Sequence, residues 1–399
     1  MVTEMIGVLP FLIKYKYVFL FYAAIILFLI FKWKKVEVQA KFILLYRMKW
    51  GLAWMEKYGQ RFRETVILLG YVGTGIGFAG MTFISLYLIK SIYDLLVNPS
   101  TLSGVSLVLP GIRVPGLGIL PFWHWLLAIF IIALVHEFSH GIVARAHNIT
   151  VKNTGIVFFG PVIGAFVEPD EKKLQKEPDI KQYSVLAAGS FSNILLAFAA
   201  LFLLNLVFAP LETAMTTPTG FTFDNYVDET YPFAKAGIAP GTIITGIDEQ
   251  KISKFEDFSQ TFMCYKPGDA ITISTTDKDV KLTLADSPDV PGRPFMGIKD
   301  IHNEAEVKPQ YEQGVGKFGY AIVHWFASFL KWLYLLSFGI GLFNLLPLPI
   351  VDGGRMLQVY LHRKKGSTQG ERRYRQISVF FLVVLLLLLF FPLIAKVFV

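Results

Sequence analysis

The sequence predicts a polytopic α-helical membrane protein with about six transmembrane helices, a short membrane-associated β-hairpin and a small extracytoplasmic β-rich domain. Three observations carry this. Hydrophobic residues make up 54% of the 399 and charged residues only 17%, a balance that suits lipid better than water. Apolar stretches long enough to cross a hydrocarbon core of about 30 Å recur along the chain. Charge also divides by region: residues 210–316 hold 17 acidic and 9 basic side chains, and the remainder 13 acidic and 29 basic. Two stretches of opposite sign imply two environments.

The candidate spans run approximately over Tyr17–Lys32, Val66–Ile89, Pro121–Ala144, Tyr183–Phe208, Phe318–Leu345 and Ile377–Val397. The first lacks a basic leader and a small-residue cleavage site, so it reads as a retained span. Loop charges set the orientation. Eight basic residues lie between Trp33 and Glu64 and seven between Gly353 and Arg375, whereas Ser91–Leu120 has only Arg113. Both basic segments belong on the cytoplasmic side, together with Lys172, Lys173, Lys176 and Lys181. Both termini and the acidic segment then fall outside. The basic excess follows apolar spans and interleaves with no RNA- or DNA-binding signature, so lipid rather than nucleic acid is the expected surface. The basic 363–375 stretch reads as an anchor near anionic lipid. The lone Cys264 can form no internal disulfide.

Between the third and fourth spans, Gly155–Val167 is apolar but too short to cross. Gly160-Pro161 at its centre can turn a strand. A hairpin or re-entrant element is expected, sheltered by protein or facing a wet cavity, because lipid cannot satisfy its backbone. Residues 210–316 show short alternating runs, such as Thr242–Ile247 and Ala270–Thr275, between Gly, Pro and Asp, the pattern of a small β-rich domain. The chain thus divides into 1–120 (first spans and basic loop), 121–209 (third and fourth spans with the hairpin), 210–316 (β-rich domain), 317–356 (fifth span and the turn after it) and 357–399 (basic loop and last span).

The chemistry-bearing residues sit inside the spans. His136-Glu137-Phe138-Ser139-His140 places two imidazoles at i and i+4 on one helix face, with a carboxylate between them. Charged groups at mid-membrane cost about 2.5–3.5 kcal/mol each on insertion scales. A bound metal compensates, since zinc sites release about 10–16 kcal/mol. Catalytic zinc takes three protein ligands and keeps one position open. Asp352 is the candidate third ligand: the prolines at 347 and 349 and the glycines at 353 and 354 break the helix and let a carboxylate turn inward. Of the remaining histidines, His147 alone lies close in depth to His140. His124, His302, His324 and His362 read as interface or surface residues, and Trp123 and Trp125 as an outer aromatic belt.

These motifs resemble the site-2 protease family of intramembrane metalloproteases. His136-Glu137-x-x-His140 matches the family's first motif. Asn344-x-x-Pro347-x-Pro349-x-x-Asp352-Gly353 matches its second, with Val351 where the family usually has Leu. Gly189-x-x-x-Asn193 matches a third, weaker motif. Residues Tyr231–Phe262, with Ala236-Gly237-Ile238-Ala239-Pro240-Gly241 at their centre, resemble a PDZ domain of the bacterial protease type. The resemblance implies a Zn2+ endopeptidase cutting transmembrane protein substrates within the lipid bilayer, as in regulated intramembrane proteolysis. It implies metal ligation by His136, His140 and Asp352, and acid–base catalysis by Glu137. Asn193 would donate to substrate or oxyanion, Asn344 would hold substrate backbone, and the turn at Gly160 and Pro161 would belong to a strand edge on which an unwound substrate pairs. The active site would lie towards the cytoplasmic side of an integral, multi-pass cell-membrane protein. The competing reading is a zinc-stabilised membrane scaffold that binds partner tails through the PDZ-like domain. Glu137 argues against it, because a structural metal site needs no general base.

Overall fold

The fold is that of a computed structural model, which describes residues 15–39, 43–97, 105, 108–111, 113–114, 118–159, 162–288 and 290–398. Among the described residues, seven helices of ten residues or more organise it: α1 (Lys16–Lys32), α2 (Leu52–Arg61), α3 (Arg63–Val97), α4 (Phe122–Ala146), α5 (Asp179–Leu203), α6 (Gly314–Phe343) and α7 (Asp352–Phe398, broken at Gly366 where φ is 76°). Among the described residues, six helical stretches are long and apolar enough to cross a membrane by length and composition. They lie on α1, α3, α4, α5, α6 and the second half of α7. No residue of α1 is buried, and Leu20, Ile30 and Phe31 are 64–79% exposed. A helix so apolar and so unshielded suits hydrocarbon rather than water.

The chain divides into two compact units. The first comprises Met1–Pro110, Pro121–Leu201 and Lys331–Val399. In it, α3 carries glycines at 70, 73, 77 and 80. Added Cβ atoms there would meet Ser184, Phe191, Met356 and Leu345 at 2.1–3.0 Å. Small residues let helices approach this closely, where lipid offers no hydrophobic drive to bring them together. On α4, Gly141 accepts Met55 of α2, which is fully buried. Past the end of α4, Asn148 is held at φ 62° while Ile149 N–H donates to the Ala144 carbonyl at 2.8 Å, a left-handed stop.

The same unit holds a four-stranded antiparallel sheet in the order β1 (Val36–Gln39), β2 (Ile43–Met48), β3 (Val151–Phe159) and β4 (Val162–Pro169). The apolar segment expected as a hairpin is the β3–β4 pair, with Phe159 opposite Val162. Its turn, Gly160 and Pro161, lies outside the described residues. The first hairpin was not foreseen. Its segment read only as a basic loop, yet Val36–Gln39 pairs with Ile43–Tyr46, and β2 pairs with β3 from Ile43↔Phe159 to Met48↔Thr154. Gly155 has no side chain, and the Phe166 ring lies over it from β4, 2.4 Å from where a Cβ would stand. Strand β4 is a free edge of this sheet.

The second unit comprises Gly111–Leu120 and Phe202–Leu330. Its main sheet runs in the order β8 (Asp279–Thr283), β7 (Ala270–Thr275), β6 (Ile244–Ile247), β5 (Thr216–Tyr226) and β9 (Ile298–Val307), all antiparallel. Phe221, Phe223, Phe233, Phe258, Ile244 and Ile273 are fully buried at its centre. The helix Phe255–Phe262 packs there through Phe258 and Phe262, and Asn303 caps it by accepting from the Phe255 N–H at 2.6 Å. The strand expected at Ala270–Thr275 is β7, and the one expected from Thr242 begins at Ile244. The first and last strands are neighbours, with Thr216 opposite Val307.

Candidate metal centre

Helix α4 puts His136 and His140 one turn apart, facing α5. Their Nε2 atoms are 3.2 Å apart. Asp352, the first residue of α7, brings Oδ2 to 3.2 Å from His136 Nε2 and 3.4 Å from His140 Nε2. Backbone folding explains how a residue so distant in sequence arrives there. After α6 the chain doubles back through Pro347 and Pro349, and the Gly353 N–H donates to the Asn344 carbonyl at 2.8 Å. A Cβ on Gly353 would stand 2.2 Å from the Leu345 carbonyl oxygen, and one on Gly354 1.7 Å from that of Leu348. Only a Gly-Gly pair fits this turn.

The donor set fits a zinc ion. Bonds of about 2.0–2.1 Å at tetrahedral angles put ligand atoms about 3.3 Å apart, close to the observed edges. The far nitrogens are engaged as metal-binding imidazoles require. His140 Nδ1–H donates to the Val185 carbonyl at 2.7 Å, which leaves Nε2 unprotonated towards the cluster. His136 Nδ1 lies 3.1 Å from the carboxamide of Asn193, which is fully buried. With Nδ1 protonated, the carboxamide oxygen is the end that meets it. That assignment gives a partner to an Asn193 Oδ1 that otherwise has none. Ser190 Oγ donates to Asp352 Oδ2 at 3.2 Å. Gly189 forms the floor: a Cβ there would stand 2.4 Å from His140 Nε2 and 2.5 Å from His136 Nε2. Position 189 is thus vacated for the very atoms that would bind metal.

Among the described residues, His136, His140 and Asp352 form the one group of three or more His, Cys, Asp or Glu side chains able to hold a metal ion. Glu137 lies beside them without joining them, and its Oε2 accepts from the Val167 N–H of β4 at 2.8 Å. Asn344 contributes its carbonyl to the turn. His147, though close in depth, is apart: its Nε2 meets Ser184 Oγ at 3.1 Å and its ring lies against Tyr71. Burial and the nearby Lys181 lower its pKa, consistent with a neutral, structural imidazole.

Sequence reasoning missed the parts supplied by backbone and by Ser190. The Val167 amide and the Val185 carbonyl carry no residue signature. Ser190 sits inside the Gly189–Asn193 motif, and its spacing from Gly189 was the available signal.

Comparison with known proteins agrees with this chemistry. Residues 124–389 match peptidase family M50. An uncharacterized protein of Methanocaldococcus jannaschii is 26% identical over 261 residues, 65% of this chain and 62% of that protein. The zinc metalloprotease RasP of Oceanobacillus iheyensis is 24% identical over 250 residues, 50% of this chain and 57% of that protein. The chain therefore spans about three-fifths of the length of the curated relatives it matches. Among solved structures, the PDZ domain of the SdrC-like protein of Listeria monocytogenes is 22% identical and covers 20% of this chain and 85% of that chain, with a TM-score of 0.18.

Proposed function

The chain belongs to peptidase family M50, and on that footing we propose that it is an intramembrane zinc metalloendopeptidase. It hydrolyses peptide bonds within or near transmembrane segments of membrane-protein substrates, as in regulated intramembrane proteolysis. One observation carries the reading: two imidazole nitrogens and one carboxylate oxygen converge at 3.2–3.4 Å over a glycine, with a further carboxylate alongside.

His136, His140 and Asp352 would hold the metal, and a zinc ion bound there would supply Lewis acidity to the scissile carbonyl and to water. Glu137 accepts the proton of the attacking water and delivers it to the leaving amine, so the C–N bond breaks as a neutral amine departs. The Val167 N–H holds the Glu137 carboxylate in place for both transfers. Asn193 fixes the His136 ring through its carboxamide oxygen, which leaves its NH2 to donate towards substrate or the developing oxyanion. Among the described residues the bonds of Asn344 are made by its backbone, and its carboxamide is offered to substrate backbone.

A transmembrane helix hides its peptide bonds in its own hydrogen bonds and must unwind before it is cut. Strand β4 offers the unwound segment a partner. Its Val167 N–H points away from β3, and strand periodicity gives Ile163 and Ala165 the same direction. Substrate adds along this edge, between Val162 and Val167. Helix-breaking residues in the substrate favour this. The acidic, PDZ-like segment lies outside the cell and screens substrates there. The basic segments and the metal centre lie towards the cytoplasm. Support for this orientation comes from the loop charges.

The test is metal analysis together with in vitro cleavage of a panel of single-span peptides, for wild type and Glu137→Gln. The expected result is one zinc per chain in both and cleavage by wild type alone. Zinc with no cleavage of any peptide, or cleavage undiminished in Glu137→Gln, overturns the reading; the first outcome favours a zinc-stabilised scaffold.

A further inference from the structure

Glu137 belongs to α4, yet the hydrogen bond that aims its carboxylate comes from the sheet. The donor is the Val167 N–H, at 2.8 Å. Strand β4 is an edge strand, held laterally by β3 alone, and that ladder slips register between Val151 and Asn153, near this end. A side-chain tie reinforces the ladder at this end.

The next residue supplies it. Glu168 Oε2 accepts from Asn153 Nδ2 of β3 at 3.0 Å and from Arg47 Nε of β2 at 3.1 Å. Arg47 stands opposite Gly155 in the ladder, so no side chain of β3 at that position blocks its reach across to β4. Its Nη1 also pairs with Glu37 of β1. One planar guanidinium, with a fork geometry that a lysine ammonium cannot reproduce, thus ties β1 and β2 to β4. Glu168 remains ionised for this role: the Asn153 carboxamide and Arg47 hold its carboxyl below the usual carboxylate range.

We propose that Arg47 is a positioning residue for peptide hydrolysis, acting through Glu168 and the Val167 amide to hold the Glu137 carboxylate at its working place. The proposal rests on the reading of Glu137 as the proton-transfer group. Arg47 touches neither substrate nor metal ligand. Its loss frees the strand end, and a displacement of about 1 Å at a reacting group can cost about a hundredfold in rate.

The experiment measures steady-state cleavage of a single-span peptide with a central Gly-Pro, in detergent micelles, by wild type, Arg47→Gln, Glu168→Gln, Arg47→Lys and Lys152→Gln. Amide hydrogen exchange of residues 163–168 and zinc content are followed in parallel. Lys152 pairs with Asp170 on the same sheet and serves as the charge control. Arg47→Gln and Glu168→Gln should each lower kcat about tenfold or more, change KM less than threefold, speed exchange at Val167 about tenfold and leave zinc stoichiometric. Arg47→Lys should recover part of kcat, and Lys152→Gln should stay within twofold of wild type. Unchanged kcat in Arg47→Gln, a rise in KM alone, or an equal loss in Lys152→Gln overturns the proposal. If wild type cleaves nothing, the enzymatic reading fails first, and exchange at Val167 still reports whether Arg47 holds the strand.

Discussion

The two units bury different things. Phe202–Leu330 is centred on large apolar side chains, with Phe221, Phe223, Phe233, Phe258, Ile244 and Ile273 among those fully enclosed; among its described residues Thr222 is the only buried polar one. The other unit buries Thr74, His136, Gln182, Ser184, Ser190, Asn193 and Ser337, and it packs helices across glycines and alanines. The contrast follows from the solvent each is built for. In water, burying a large side chain contributes about 1.5–3 kcal/mol, so a small sheet domain gathers phenylalanine. In lipid that gain vanishes, and close backbone approach and interhelical hydrogen bonds take over. A metal centre belongs to the second kind of interior. Its polar network has room there, and an orphaned imidazole or carboxylate would be too costly without a metal.

Three substitutions probe the contrast, from the largest effect to the smallest. Gly189→Ala puts a methyl where the two Nε2 atoms lie, so most of the roughly 10–16 kcal/mol of a structural-strength zinc site should be lost. Metal analysis after dialysis should find the protein zinc-free while the helices remain folded by circular dichroism. Stoichiometric zinc in this variant would mean that the membrane unit tolerates crowding it has no slack to absorb. Phe221→Ala should destabilise the other unit by about 3–5 kcal/mol through the cavity it leaves. Hydrogen exchange should accelerate across β5–β9 with zinc retained; a parallel loss of zinc would show that the two interiors are not separable. Asn193→Ala removes the partner of His136 Nδ1 and should weaken zinc binding by about 10–100-fold, read by competition with a chelator. No change would reduce Asn193 to packing.

The same contrast explains what was legible in the sequence. Periodicity and hydropathy marked the long helices, because lipid-facing segments must be apolar along their whole length. His136, Glu137, His140 and Asp352 stood out because ionisable residues are rare at such depth, and the structure brings three of them within reach of one ion. The β1–β2 hairpin was hidden. Its strands have four and six residues, and Lys34, Lys35, Lys41, Arg47 and Lys49 made the segment read as a charged loop. Arg47 counted as one more cytoplasmic charge, although it spans the sheet to Glu168. Asn344 was expected to face substrate. What the structure shows is its carbonyl closing the turn onto Gly353. Hydrogen bonds made by backbone atoms, like that of Val167 to Glu137, leave no trace in residue identity.

The pairing of Thr216 with Val307 has a further meaning. Because the insert enters and leaves through adjacent hydrogen-bonded strands, with Lys308 N–H also donating to the Met215 carbonyl at 3.0 Å, everything between those residues hangs from one doubled stem. A short turn grafted across that stem would close the chain without re-threading a single helix. Such an insert can therefore be removed or exchanged by one cut and one join, while the residues around His136, His140 and Asp352 keep their own scaffold.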